Sequence, residues 1–253
     1  MVALSININK VALIRNSRPG NNPDLVSYAK KCVSFGAKGI TVHPRPDQRH
    51  IRAQDCFDLA GANLGVEFNI EGNPLAQFCA STDDNVSDYP GFMNIVRKVK
   101  PDQCTLVPDS HQQKTSDHGF DLAQDTSALA ELIAEIKSLG CRVSLFMDAD
   151  PEQIPLAKAI GADRIELYTG PYAENPEVNF ETYRKAALLA HECGLDINAG
   201  HDLNLGNIKL MATLPNLKEV SIGHALTLEA MDYGLKETIH RYNQLLKQPV
   251  SCK

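Results

Sequence analysis

Residues 35–43, FGAKGITVH, carry the pattern from which the fold is read. Gly36 stops a helical segment, and Gly39 to Val42 is a short β-branched run that ends at His43. The same order returns as LGCRVSLFMD at 139–148, IGADRIELYTG at 160–170 and CGLDINAGH at 193–201. Working outward from these, strand-like runs fall at Ala3–Asn9, Gly39–His43, Gly65–Glu71, Gln103–Val107, Arg142–Asp148, Arg164–Thr169, Asp196–His201 and Glu219–His224. Helical spacing fills the gaps at Asp24–Phe35, Asp55–Ala62, Phe92–Val99, Ser127–Leu139, Pro151–Ile160, Phe180–Cys193 with Asn179 as cap, Asn207–Leu214 and Leu226–Leu246. Asp83–Pro90 reads as an exposed insertion. Strands alternating with helices argue for a parallel sheet. Eight such units in 253 residues match an α/β fold of the (β/α)8 TIM-barrel type, parallel and eight-stranded with extra helices, as a single domain over 1–253. An open doubly wound sheet fits less well, because no Gly-x-Gly-x-x-Gly turn follows the first strand.

Composition narrows the partners. A hydrophobic content of 43% can fill a core, and a net charge of −6 argues against nucleic acid and against an anionic membrane surface. Positive charge around a substrate must then be local. The N-terminal run lacks a basic leader and a cleavage site, and no apolar run reaches membrane-span length. The seven cysteines, at 32, 56, 79, 104, 141, 193 and 252, are scattered without Cys-x-x-Cys spacing, which suits buried thiols in a reducing cytoplasm.

In a barrel of this type chemistry collects where strands end. Here the ends offer Asn7, Asn9 and Lys10 followed by Arg15 and Arg18, then His43, Glu71, His201 and His224, with Glu166 inside the sixth strand. Pro44 and Pro46 force the chain out of its strand into a loop carrying Arg45, Arg49 and His50. An imidazole beside clustered cations suits proton transfer on an anionic substrate. Gly200-His201 and Gly223-His224 close the last two strands, the usual phosphate cradle of the fold, so one substrate end is expected to be a phosphate. No metal is expected: Asn7-Ile8-Asn9 stands where a barrel hydrolase needs His-x-His. Lys10 leaves Schiff-base chemistry open but weakly supported, and nothing supports a thiol nucleophile.

The stretches VALSININKVALIRNSR, GAKGITVHPRPDQRHI, EFNIEGNP, CTLVPD, VSLFMDADPEQI, IELYTGPYA, INAGHDLN and SIGHAL, kept in this order along nearly the whole chain, resemble the pyridoxine 5′-phosphate synthase family. The resemblance implies a cytoplasmic (β/α)8 barrel with extra helices, assembled as an octamer built from dimers. It implies condensation of 1-deoxy-D-xylulose 5-phosphate with 3-amino-2-oxopropyl phosphate to pyridoxine 5′-phosphate, phosphate and water, without a cofactor. By the same resemblance His43 and Glu71 are proton acceptors and His201 is the proton donor. Asn7, Arg18, Gly223 and His224 match positions that hold the amino-ketone phosphate, and Arg45, His50 and Thr115 match those for the deoxyxylulose phosphate.

The chain departs from the familiar pattern at Asn9-Lys10, where relatives carry Asp-His, and at Asp202, where they carry Gly; all three remain expected substrate-binding positions. The loops Arg45–His50 and Thr115–Gly119 are candidates for closing over substrate. Two other functions compete: a barrel that binds a sugar phosphate without turning it over, and an isomerase or aldolase acting on one phosphorylated ketone.

Overall fold

The structure is a computed structural model that describes residues 2–110 and 113–247. Strands β1 (Ala3–Asn7), β2 (Gly39–Val42), β3 (Glu67–Gly72), β4 (Gln103–Leu106), β5 (Arg142–Met147), β6 (Arg164–Tyr168), β7 (Asp196–Gly200) and β8 (Leu217–Ile222) pair in sequence order. All pairs are parallel, and β8 returns to β1 through Leu4 opposite Val220 and Ile6 opposite Ile222, closing the barrel. Around it lie α1 (Asn9–Asn16), α2 (Leu25–Ser34), α3 (Ala53–Gly61), α4 (Phe92–Val99), α5 (Ser127–Ser138), α6 (Ile154–Ala159), α7 (Gly170–Glu174), α8 (Pro176–Glu192), α9 (Ile208–Met211), α10 (His224–Tyr233) and α11 (Leu235–Lys247). The expected TIM barrel with extra helices is therefore the fold.

Side chains alternate across each strand, and the two faces differ in chemistry. Leu4, Ile6, Ile40, Val42, Ile70, Leu106, Val143, Leu145, Ile165, Leu167, Ile197 and Val220 are buried against helix residues such as Ala29, Leu59, Ile95, Ile133, Ala186 and Tyr242. Each fully buried Leu, Ile or Val contributes about 1.5–3 kcal/mol, so this outer layer is the main source of stability. The other set fills the barrel with polar groups. Ser5 Oγ meets Thr41 Oγ1 at 2.7 Å, Thr105 Oγ1 donates to Asn69 Oδ1 at 3.1 Å, and Arg142 Nε donates to Gln103 Oε1 at 2.9 Å. Barrels of this type commonly fill this space with branched apolar side chains. Here hydrogen bonding is what makes burial of the polar set tolerable.

Several boundaries differ from the sequence expectations for local reasons. The first strand stops at Asn7, whose Oδ1 accepts from Asn9 N at 3.0 Å and turns the chain into α1, a helix the sequence reading missed. Helix α8 starts at Pro176, with Asn175 Oδ1 accepting from Val178 N; Asn179 lies inside the helix and donates to Pro171 O at 2.7 Å. The expected helix 226–246 is two helices, because Gly234 adopts φ +80° between α10 and α11. Within Asp83–Pro90, residues 83–85, 87 and 88 are exposed as expected, but Tyr89 is buried and pairs with Cys79 in an antiparallel bridge. The described cysteines are free; Cys32, Cys56, Cys104 and Cys141 are buried, and Cys252 lies outside the described residues. Among the described residues, no helix is long and apolar enough to cross a membrane.

Candidate active site

At the C-terminal mouth of the barrel every expected site residue except Arg18 borders one cavity of about 290 Å³: Asn7, Asn9, Lys10, His43, Arg45, His50, Glu71, Thr115, His201, Asp202, Gly223 and His224. Arg18 lies in the loop after α1, exposed and outside that lining. Arg15 is buried beneath the site, where its guanidinium holds Asp55 at 2.9 Å and the His50 carbonyl at 3.0 Å. It joins α1 to the β2 loop and is not available to a ligand.

The first three strand tips are locked together by amide side chains. Asn9 Oδ1 accepts from His43 N at 2.9 Å, and Asn7 Nδ2 donates to Glu71 Oε2 at 3.2 Å. That places His43 Nδ1 at 3.8 Å from Glu71 Oε2. Asn9 thus positions His43 through the backbone. Lys10, in the first turn of α1, borders the cavity and forms no salt bridge among the described residues.

Burial, reinforced by Arg45, His50 and Arg49, pushes His43 well below the usual imidazole range and favours its neutral form. His50 is pushed down to about 3 by burial and then by Arg45 and Arg49; its Nδ1 accepts from Ile51 N at 2.8 Å, as a neutral ring can. Glu71 moves the other way. Burial, followed by the nearby carboxylates Glu166, Asp109 and Glu219, raises it well above the usual carboxylate range. A protonated carboxyl beside a neutral imidazole forms a pair able to give and take protons near neutrality.

Glu166 on β6 was seen in the sequence but not placed among the site residues. It is 3% exposed, borders the same cavity, and burial lifts it to about 7. A Cβ on Gly200 would stand 2.2 Å from Glu166 Oε1, so the glycine before His201 makes room for this carboxylate. The sequence signal was present: a glutamate within a strand, with a glycine at the end of the next strand.

Across the mouth, His201 Nδ1 lies 2.9 Å from Asp202 Oδ2, and its Nε2 lies 3.0 Å from Thr115 Oγ1. With a carboxylate as partner, the Nδ1 hydrogen is assigned, and Nε2 can accept from Thr115 or, once protonated, donate. Both residues have positive φ, +89° at His201 and +56° at Asp202. Such backbone is uncommon for side-chain-bearing residues and costs of order 1–3 kcal/mol. Thr169 Oγ1 steadies the turn by donating to the Gly200 and His201 carbonyls. Asp202 therefore turns its carboxylate onto His201. Gly223 precedes α10, which has no side-chain cap, and a Cβ there would come within 3.1 Å of Asn7. An uncapped helix start facing the cavity can receive an anion. No cluster of three or more His, Cys, Asp or Glu suited to a metal ion occurs among the described residues.

The chain is similar to known proteins over nearly its whole length. A pyridoxine 5′-phosphate synthase of Xanthomonas campestris pv. campestris (strain B100) is 53% identical over 247 residues, covering 94% of each chain. One of Phocaeicola vulgatus is 48% identical over 252 residues, covering 98% of this chain and 100% of its own. Among solved structures, 3-hexulose-6-phosphate synthase from Salmonella typhimurium superposes with a TM-score of 0.64 at 16% identity, covering 97% of this chain and 98% of its own; at that identity it speaks to the barrel alone. The family described as pyridoxal phosphate biosynthesis protein PdxJ matches residues 4–248, and the chain belongs to that family.

Proposed function

We propose that this chain condenses 1-deoxy-D-xylulose 5-phosphate with 3-amino-2-oxopropyl phosphate to give pyridoxine 5′-phosphate, inorganic phosphate and water. The observation that carries the reading is the convergence of His43, Glu71 and His201 on one cavity that also holds Lys10, Arg45 and the start of α10. Ring formation from two ketones needs imine formation, enolisation, loss of phosphate, ring closure and loss of water. Each step moves a proton, so more than one acid or base is required. Neutral His43 accepts a proton as the resting site stands. Glu71 becomes a strong carboxylate base once its own proton has left, and His201, oriented by Asp202, donates from Nε2. Arg45, His50 and Thr115 take the deoxyxylulose phosphate, while Asn7, Gly223 and His224 take the amino-ketone phosphate. Glu166, with a proton affinity balanced near neutrality, serves the same transfers from the opposite wall.

Purified protein given both phosphates should produce pyridine absorbance, and neither phosphate alone should be consumed. Turnover of a single phosphate would support an isomerase or aldolase instead, and binding without product would support a sugar-phosphate receptor. We also propose a cytoplasmic enzyme that self-associates as its family does. Leu13 and Ile14 on α1 and Leu228 and Met231 on the adjoining α10 leave apolar side chains exposed, which supports association. Sedimentation at the monomer mass across the working concentration range would count against it.

A further inference from the structure

One buried charged group beside the site has no role in the mechanism above. Asp109 follows β4 by three residues and is 8% exposed. Its Oδ2 takes a hydrogen bond from Arg45 Nη2 and another from Ser116 Oγ at 2.9 Å. The same oxygen stands 3.6 Å from His43 Nε2. Its Oδ1 is buried without a hydrogen-bond partner among the described residues. Asn73 Nδ2 donates to the Asp109 carbonyl at 2.9 Å and fixes the backbone.

Arg45 and His43 border two cavities, the substrate cavity and a second one of about 390 Å³; Asp109 borders only the second. Arg45 thus stands as a partition with a carboxylate on one side and the space for substrate on the other. A guanidinium fork suits a carboxylate or a phosphate equally in shape, but a phosphate dianion brings more charge. Two anions then compete for one buried cation. When Arg45 turns to the phosphate, Asp109 Oδ2 keeps the Ser116 hydroxyl at 2.9 Å and has His43 Nε2 at 3.6 Å as its nearest ring donor.

We propose that Asp109 is a positioning residue that competes with substrate phosphate for Arg45: it holds the guanidinium, yields it to a bound phosphate, and then orients His43 through Nε2. The orientation leaves the Nδ1 lone pair of His43 facing Glu71 and the cavity. Phosphate binding and readiness of the base are thereby linked through one carboxylate. The inference rests on the reading that Arg45 receives a substrate phosphate.

Inorganic phosphate is the probe. Asp109→Asn removes the rival charge, so phosphate should bind roughly tenfold tighter. Because His43 loses its carboxylate, kcat for the two-substrate reaction should fall roughly tenfold or more. Asp109→Glu should return both values toward those of the unaltered enzyme. A merely structural Asp109 would weaken phosphate binding and turnover together, and that result overturns the proposal. Should Asp109→Asn not fold, a crystal structure of the unaltered enzyme with inorganic phosphate decides. Arg45 on phosphate and parted from Asp109 supports the exchange, whereas Arg45 still held by Asp109 overturns it. If the unaltered enzyme makes no pyridine product, the functional reading fails separately, whatever Arg45 does.

Discussion

The two ends of the barrel interior use the same residue type to different effect. At the N-terminal end Glu67 is met by Arg142 Nη2 and has Arg164 Nη1 at 3.9 Å, with Asp196 and Lys218 paired at 3.3 Å nearby. At the mouth Glu71 and Glu166 have no cation in contact among the described residues; Glu71 receives Asn7 Nδ2, and Glu166 receives Thr105 Oγ1 at 3.5 Å. Burial acts at both ends, and Glu219 near the floor is also raised, by burial and then by Glu67 and Glu166. The difference lies in arginine. The guanidinium pairs of Glu67 tie strands together, whereas Glu71 and Glu166, without such a pair, hold their protons more tightly and can exchange them. Stability and chemistry are thus divided along one axis.

Substitutions can break that division. The largest effect is expected for Glu71→Gln, which keeps the shape but cannot carry a proton. Turnover should fall roughly 10²–10⁴-fold with substrate affinity nearly unchanged. Thermal stability should hold or rise, because a neutral amide costs less to bury than a carboxyl surrounded by like charges. Normal turnover with weakened binding would remove Glu71 from the chemistry.

Arg164→Met is the converse test. Losing a cation among Glu67, Asp196 and Glu219 should cost about 3 kcal/mol in denaturant unfolding, the low end for breaking a buried pair because its contacts are long. Turnover of the folded fraction should be unchanged. A loss of kcat without a loss of stability would mean that the two ends are not separate.

Glu166 gives the division a pH signature. Its carboxyl rises from the ordinary 4.5 to about 7 on folding, so in that window the folded chain holds a proton that the unfolded chain has released. Its contribution to stability therefore falls as pH rises from about 4.5 to about 7. Glu166→Gln should remove this loss, gaining roughly 3 kcal/mol over the unaltered protein above pH 7 and little below pH 4.5. His50, pushed down to about 3, acts with the opposite sign at lower pH and is common to both proteins. Parallel stability curves for the two proteins would mean that Glu166 is not perturbed.

Lys10 carries the smallest expected effect. It is a half-buried cation at the mouth without a salt bridge among the described residues, so a phosphate would be its partner. Lys10→Met should weaken one phosphorylated substrate by roughly tenfold, less at high salt. Unchanged affinity for both substrates, with no borohydride-trapped adduct, would leave Lys10 a solvated side chain.

The outward strand faces were legible because Leu, Ile and Val alternate with polar residues and helix stops fall at Gly36, Gly140, Gly161 and Gly194. The mouth was legible through His43, Glu71 and His201, which stand at strand ends together with proline and glycine. The inward face was not. Ser5, Thr41, Asn69, Gln103, Thr105 and Asn198 look like the solvated half of a half-buried strand until the sheet closes and hydrogen-bonds them across the barrel. Glu166 was seen but left without a partner, because the Gly200 that makes room for it lies on another strand. Asp109 and Ser116 are separated by a loop, and only the fold brings them to Arg45. Asn7 and Asn9 looked like ligand contacts, and the structure shows that they also position Glu71 and His43.

The most direct test of the division is infrared spectroscopy of the folded protein with carbon-13-labelled glutamate. A protonated carboxyl band from Glu71 is expected at neutral pH, lost in Glu71→Gln and retained in Arg164→Met. A second protonated signal, lost in Glu166→Gln, should titrate away near pH 7. Fully ionised Glu71 and Glu166 at pH 6, with no band to lose in either variant, would contradict it.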